Sequence, residues 1–342
     1  MLSGHQGLRR GFVFAFLGIL FCASAARADN GTVTAASLTP VVHVPMDFSG
    51  DGVADYAIVR NTGGGPSGGV TWWTSAPTVD LFGIAMDRLT PGDFDGDGKT
   101  DVAIWRPGPA GTAGFWVKRS SDGVAYFEPF GQSGDDPSVI GDYDGDGKTD
   151  LAVYRAGATA GAQSFWIYKR SSDGVVVTVP WGINGDFPAP GDYDGDGKAD
   201  FAIQRDGGGG HAIFWINQST AGITQVSWGT PTDVVVPGDY DGDGKTDLAI
   251  VRGAGGGIQW WIRRSSDLVI LNPTFGLSLT DFPCQADYDG DGKTDIAIWR
   301  PSATPGGSAF WVNGSSSGVL VRPWGLNGDY PVANYNSNYH SN

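Results

Sequence analysis

The chain has 342 residues, with 37 acidic and 22 basic side chains and a formal net charge of -15. Its 55 Gly and 20 Pro, and acids that are all Asp except Glu128, argue against a helical protein, because these are poor helix residues. The acidic balance argues against nucleic acid, which needs Lys and Arg on its phosphates, and 13 Trp, 17 Phe and 11 Tyr argue for a packed core over disorder.

The first predicted element is a signal peptide over residues 1–28. Arg9 and Arg10 precede an apolar run from Gly11 to Cys22, and Ala26-Arg27-Ala28 supplies a small-residue cleavage site. About a dozen apolar residues are too few for a span of about 20. Phe21 before Cys22 argues against a lipoprotein cysteine. The expectation is an exported chain, secreted, periplasmic or at the cell surface, with no membrane span after cleavage. Residues 29–342 then form one domain of net charge -18. Cys284 is its one cysteine, so no internal disulfide is possible and another staple is needed.

One segment then recurs. It reads DFSGDGVADYAIVR from Asp47 and DFDGDGKTDVAIWR from Asp93, with further copies from Asp142, Asp192, Asp239 and Asp287 at steps of 46 to 50 residues. A degraded copy, NYNSNYH, begins at Asn334. A fixed period of this length means a repeat architecture. Each period runs from the acidic loop into a short apolar strand and then a Gly/Pro/Ser turn. Next comes a strand with paired aromatics (Trp72-Trp73, Phe115-Trp116, Phe165-Trp166, Phe214-Trp215, Trp260-Trp261, Phe310-Trp311). A polar turn, often SSDG, leads to a strand ending in an aromatic-Gly pair such as Phe82-Gly83 or Trp181-Gly182. That makes about four strands per period.

Adjacent residues in a strand face opposite ways, so aromatic pairs make both faces of each sheet apolar. Such a sheet must be sandwiched between neighbours. The expected fold is an all-β propeller of four-stranded antiparallel blades. Six blades are favoured, with the C-terminal half-repeat docking at the closing seam, and seven are the alternative. Ala57, Ala103, Ala152, Ala202, Ala249 and Ala297 occupy one position of the first strand after each loop, which suits a wedge narrow at its axis.

Each acidic loop reads as a calcium site. Carboxylates at positions 1, 3, 5 and 9 converge if the backbone curls at the position-6 glycine, and position 7 offers its carbonyl, as in an EF-hand loop. The expected ligands are Asp47, Ser49, Asp51, Val53 and Asp55 in the first loop. They are Asp93, Asp95, Asp97, Lys99 and Asp101 in the second, and Asp142, Asp144, Asp146, Lys148 and Asp150 in the third. Asp192, Asp194, Asp196, Lys198 and Asp200 follow, then Asp239, Asp241, Asp243, Lys245 and Asp247, then Asp287, Asp289, Asp291, Lys293 and Asp295. Val53 and the lysines act through backbone carbonyls, with the lysine side chains expected in solvent. All-oxygen ligation suits Ca²⁺, up to six ions, over Mg²⁺, and the absence of His and Cys from the loops argues against zinc or copper. Position 12 lacks the EF-hand Glu, carrying Ile104 and its equivalents, and a strand follows rather than a helix. Carboxylates about 4 Å apart repel by about 4 kcal/mol at an effective dielectric near 20, so four together need a cation.

Arg follows each loop at Arg60, Arg106, Arg155, Arg205, Arg252 and Arg300, and Asp precedes the later loops at Asp87, Asp136, Asp186, Asp233 and Asp281. Pairing between or at the ends of strands is the expected role, with a ring of ligand contacts as the alternative.

The D-x-D-G-D-G-x-x-D loop, the aromatic-Gly pair and the period together resemble the FG-GAP/VCBS repeats of integrin α-subunit propellers and bacterial exported proteins, over about residues 40–340. The resemblance implies a propeller with Ca²⁺ in the hairpin between the first two strands of a blade. It implies binding or adhesion more often than catalysis, with sugar-binding lectins and a polysaccharide lyase among relatives. The leading functional expectation is a monomeric binding or adhesion module for an extracellular glycan or surface protein. Repeat tryptophans are read as core, with Trp72 and Trp260 slightly better ligand candidates. A structural scaffold holding only Ca²⁺ is the second reading. An enzyme is the third, weakly supported because His43, His211 and His340 share no context and Glu128 has no Glu partner.

Overall fold

The computed structural model describes residues 45–76 and 78–333. The expected signal peptide, His43, His340 and the degraded copy at Asn334 lie outside the described residues. Among these, 25 strands and no helix occur, arranged in six antiparallel sheets that form a six-bladed β-propeller.

The second blade shows the pattern. A two-residue inner strand, Arg88–Leu89, is followed by Val102–Arg106, Gly114–Lys118 and Ala125–Pro129, hydrogen-bonded in that order. The acidic loop from Asp93 to Asp101 joins the inner strand to the second. Blades over residues 135–183, 187–227, 234–277 and 282–323 repeat it. In the fifth, the outer strand is split into Ile270–Leu271 and Thr274–Leu277. Pro273 falls in the gap, where its missing N–H cannot serve the ladder.

The first blade takes its inner strand from the far end of the chain. Tyr330–Pro331 pairs antiparallel with Ile58 and Val59. The seventh inner-strand segment therefore closes the ring instead of starting another blade.

Second strands are buried on both faces, as in Val102-Ala103-Ile104-Trp105 and Leu151-Ala152-Val153-Tyr154. The six recurring alanines are all buried. Trp72 and Trp260 are wholly buried, and their indole N–H groups donate to the carbonyls of Phe82 and Phe275. This corrects their reading as ligand candidates: each anchors the aromatic-Gly turn of its own blade.

The aromatic pair is out of step in the third blade. Trp166 lies opposite Tyr154, as Phe115 lies opposite Trp105. Ile167 consequently takes the place of Trp116, and Phe165 sits one position earlier. A register shift between Gln163 and Phe165 in the pairing with the outer strand accompanies the slip.

Candidate metal centre

Each acidic loop is curled by its first and ninth carboxylates. In the second loop, Asp93 Oδ1 accepts the N–H of Gly96 at 2.6 Å and of Asp97 at 3.2 Å, and Oδ2 accepts that of Gly98 at 2.9 Å. Gly96 and Gly98 have φ of 78° and 84°, in the left-handed region where a Cβ is strained. Asp101 Oδ2 accepts the N–H of Phe94 at 2.9 Å, which ties the end of the loop to its beginning.

A second set of residues then fixes the outward oxygens. Ser121 Oγ donates to Asp95 Oδ2, Ser120 Oγ to Asp97 Oδ1, and the Ser120 N–H to Asp101 Oδ1. Ser171-Ser172, Ser219-Thr220, Ser265-Ser266 and Ser315-Ser316 repeat the arrangement on the next four loops. Sequence reading took this segment for a plain polar turn. Its recurrence in every blade with a four-Asp loop was the signal.

Three carboxylates of each such loop offer oxygens within 4.8 Å of one another: Asp93, Asp95 and Asp101; Asp142, Asp144 and Asp146; Asp192, Asp194 and Asp200; Asp239, Asp241 and Asp243; Asp287, Asp289 and Asp291. The fourth expected ligands, Asp97, Asp150, Asp196, Asp247 and Asp295, stand outside these groups. The lysines at position 7 depart from expectation. Lys99 packs over Gly50 of the preceding loop so closely that a Cβ there would lie 2.8 Å from its Cε, and Lys148, Lys198, Lys245 and Lys293 do the same to Gly96, Gly145, Gly195 and Gly242. Their stems cover apolar backbone instead of lying free in solvent.

The electrostatics fit a cation. Asp95 Oδ1, Asp194 Oδ1 and Asp289 Oδ1 are buried without a hydrogen-bond donor. An ionised oxygen in that state costs several kcal/mol unless a positive charge meets it. Burial pushes the Asp194, Asp241 and Asp289 carboxyls up, but donors from the serine or threonine turn outweigh it and hold all three below the usual carboxylate range. At the ninth position burial dominates, and nearby carboxylates add to it. Asp101, Asp150 and Asp295 are pushed up to about 6, and Asp200 and Asp247 to about 7. Hard oxygen donors alone, on a curled backbone, suit a hard divalent ion. The five loops could hold metal ions; Asp and serine-turn positions supply the cage.

The loops are chained around the axis. The N–H of residue 8 in each loop donates to the carbonyl of residue 1 in the preceding one: Thr100 to Asp47, Thr149 to Asp93, Ala199 to Asp142, Thr246 to Asp192 and Thr294 to Asp239, all at 2.6 Å. Ala54 to Asp287, at 2.7 Å, closes the circle.

At the other end of the second strand stands the recurring arginine. Arg106 Nε and Nη2 bind Asp87 Oδ1 and Oδ2 at 2.7 and 2.8 Å, and Asp87 Oδ2 also accepts the N–H of Ile84 from the blade before. The same bidentate pair joins Arg60 to Asp329, Arg205 to Asp186, Arg252 to Asp233 and Arg300 to Asp281. Arg155 pairs with Asp135, not with Asp136 as the spacing suggested. Alternation decides it: Asp135 is the buried member of the pair. Five of the arginines also stack over an indole, on Trp73, Trp116, Trp215, Trp261 and Trp311. Arg155 has Ile167 at that place. These pairs bind blade to blade.

Comparison with known proteins agrees with this geometry. A family model described as FG-GAP-like repeat matches residues 142–203 and 192–250, each stretch starting at an acidic loop. Residues 142–250 carry FG-GAP-like repeats. Among solved structures it is similar to AofleA from Arthrobotrys oligospora, at 10% identity and a TM-score of 0.51, over 85% of this chain and 90% of that one. It is also similar to the exotype rhamnogalacturonan lyase YesX, at 13% identity and a TM-score of 0.34, over 80% of this chain and 62% of that one. At these identities the likeness to AofleA concerns the fold alone. No curated protein matches the chain.

Proposed function

We propose that the protein is a secreted, calcium-stabilised propeller that acts as a monomeric binding or adhesion module, with glycans as its ligand class. The carrying observation is the set of buried, donor-free carboxylate oxygens at Asp95, Asp194 and Asp289. They call for a hard cation, and Ca²⁺ accepts the many-oxygen, flexible ligation these loops offer better than Mg²⁺ does. The ions would fasten the loops into a rigid ring.

Recognition would fall on the opposite ends of the strands. There Phe82, Gly83, Ile104, Arg106 and Trp116 line a cleft of about 130 Å³ at the first seam. Trp116 is 37% exposed, with its ring under the Arg106 guanidinium and against Phe127, and Asp87 balances the charge of that guanidinium. A flat ring and a neutralised donor suit hydroxyl-rich, uncharged sugars better than acidic ones. Among the described residues no acid–base pair for catalysis is marked: Glu128 is taken by Lys169 and Asp135 by Arg155. Calorimetric titration with neutral and uronic oligosaccharides tests the proposal. Binding of neutral sugars, lost on chelation and weakened by Trp116→Ala, is expected. A calcium-loaded protein that binds no glycan would return the protein to the scaffold reading.

A further inference from the structure

We infer that the ring has five cation sites, and that the first loop is a clasp that works without metal. This rests on the calcium reading of the other loops.

The first loop satisfies its own carboxylates. Ser49 stands at position 3, where the other loops carry Asp, and its hydroxyl donates to Asp47 Oδ1 at 3.2 Å. Asp55 Oδ2 accepts two backbone N–H groups, from Phe48 and Ser49, each at 2.9 Å. The matching Asp101 Oδ2 takes that of Phe94. Asp55 Oδ1 takes the hydroxyl of Ser75 at 2.8 Å, and that hydroxyl in turn accepts the Tyr56 N–H. Each of the other five loops brings three carboxylates together, and among the described residues no such group occurs in this one. With Ser49 in place of the position-3 Asp, and both oxygens of Asp47 and of Asp55 held by protein donors, the loop leaves less for a cation to gain.

The location gives this a purpose. The first loop lies where the first described residues meet the last described strand. Ala54 donates to the Asp287 carbonyl, and Val53 packs over Gly290 where every other loop uses a lysine. Tyr330–Pro331 completes the adjoining sheet, and Asp329 binds Arg60. The contacts that close the ring thus depend on backbone pairing, an ion pair and a serine network. Stripping the ions loosens five loops but leaves the strand pairing and the Arg60–Asp329 ion pair of the closure in place.

Native mass spectrometry of the protein equilibrated with Ca²⁺ tests the count. Five bound ions are expected for the unmodified chain and six for Ser49→Asp. Asp51→Asn, at an exposed position of the first loop, should leave five, whereas Asp95→Asn, which removes the donor-free buried oxygen of the second, should leave four. Six ions on the unmodified chain, or loss of an ion on Asp51→Asn, overturns the inference while upholding calcium binding. A chain that binds none overturns both.

Discussion

The backbone N–H of Thr149 donates to the carbonyl of Asp93 at 2.6 Å. Asp93 is the first residue of one acidic loop and Thr149 the eighth of the next, so a cation that orders one loop fixes a hydrogen-bond partner of its neighbour. Sites that share ordering costs bind cooperatively. Titration with Ca²⁺, followed by intrinsic fluorescence, should give a Hill coefficient above 1. Asp144→Asn in the third loop should weaken binding in the loops on either side. Independent, equal sites and a local effect of the substitution would refute the coupling.

Ser121 holds the outer oxygen of Asp95 and leaves the inner one free. Removing such an outer partner typically costs 10–100-fold in metal affinity. Ser121→Ala should therefore lower the affinity of the second loop by about 10-fold, with Ser120 and the fold unchanged. Competition with a fluorescent chelator reads this directly.

Asp101, Asp150, Asp200, Asp247 and Asp295 give the metal-free protein an inverted pH dependence. They titrate at about 6 to 7 in the fold against about 3.9 unfolded. Between those values the folded chain holds protons that the unfolded chain has released. Their contribution to stability is full below about pH 4 and is lost as the pH rises through 6 to 7. The stripped protein should melt higher at pH 5.5 than at pH 8. With saturating Ca²⁺ the order should reverse, because protons compete with the ion for the same oxygens. Scanning calorimetry at both values checks the sign.

Asp186 bridges two blades, binding Arg205 through both oxygens and accepting the N–H of Ile183. Asp186→Ala leaves a partly exposed guanidinium and a backbone donor without their partner. A loss of about 2 kcal/mol is expected in urea unfolding, and it should persist in excess calcium. An effect confined to metal-free protein would contradict a seam role.

Much of this molecule was legible because a repeat multiplies every signal. Blade architecture, the position of the loops and ring closure at the C-terminal half-repeat all followed from the period and from apolar pairs on both faces. Local slips were harder. Phe165-Trp166 reads like its five counterparts, yet against the second strand it sits one residue out of step, so that Ile167 takes the place of the indole near Arg155. Asp135 and Asp136 are adjacent in a strand and differ only in which face they present, which spacing from the loop cannot tell. Trp72 replaces a Phe for the sake of its N–H, which reaches the Phe82 carbonyl. The serine turns lie 18 to 28 residues from the carboxylates they orient, so only the closed sheet brings them together. The lysines were assigned to solvent because the neighbouring loop that receives them belongs to another blade.

The most direct measurement is the melting temperature of the protein before and after chelation, with metal removal verified by elemental analysis. A fall of at least about 10 °C is expected, since an ion bound only by the folded state stabilises it, recovered by Ca²⁺ and not by equimolar Mg²⁺. An unchanged melting temperature in verified metal-free protein would contradict it.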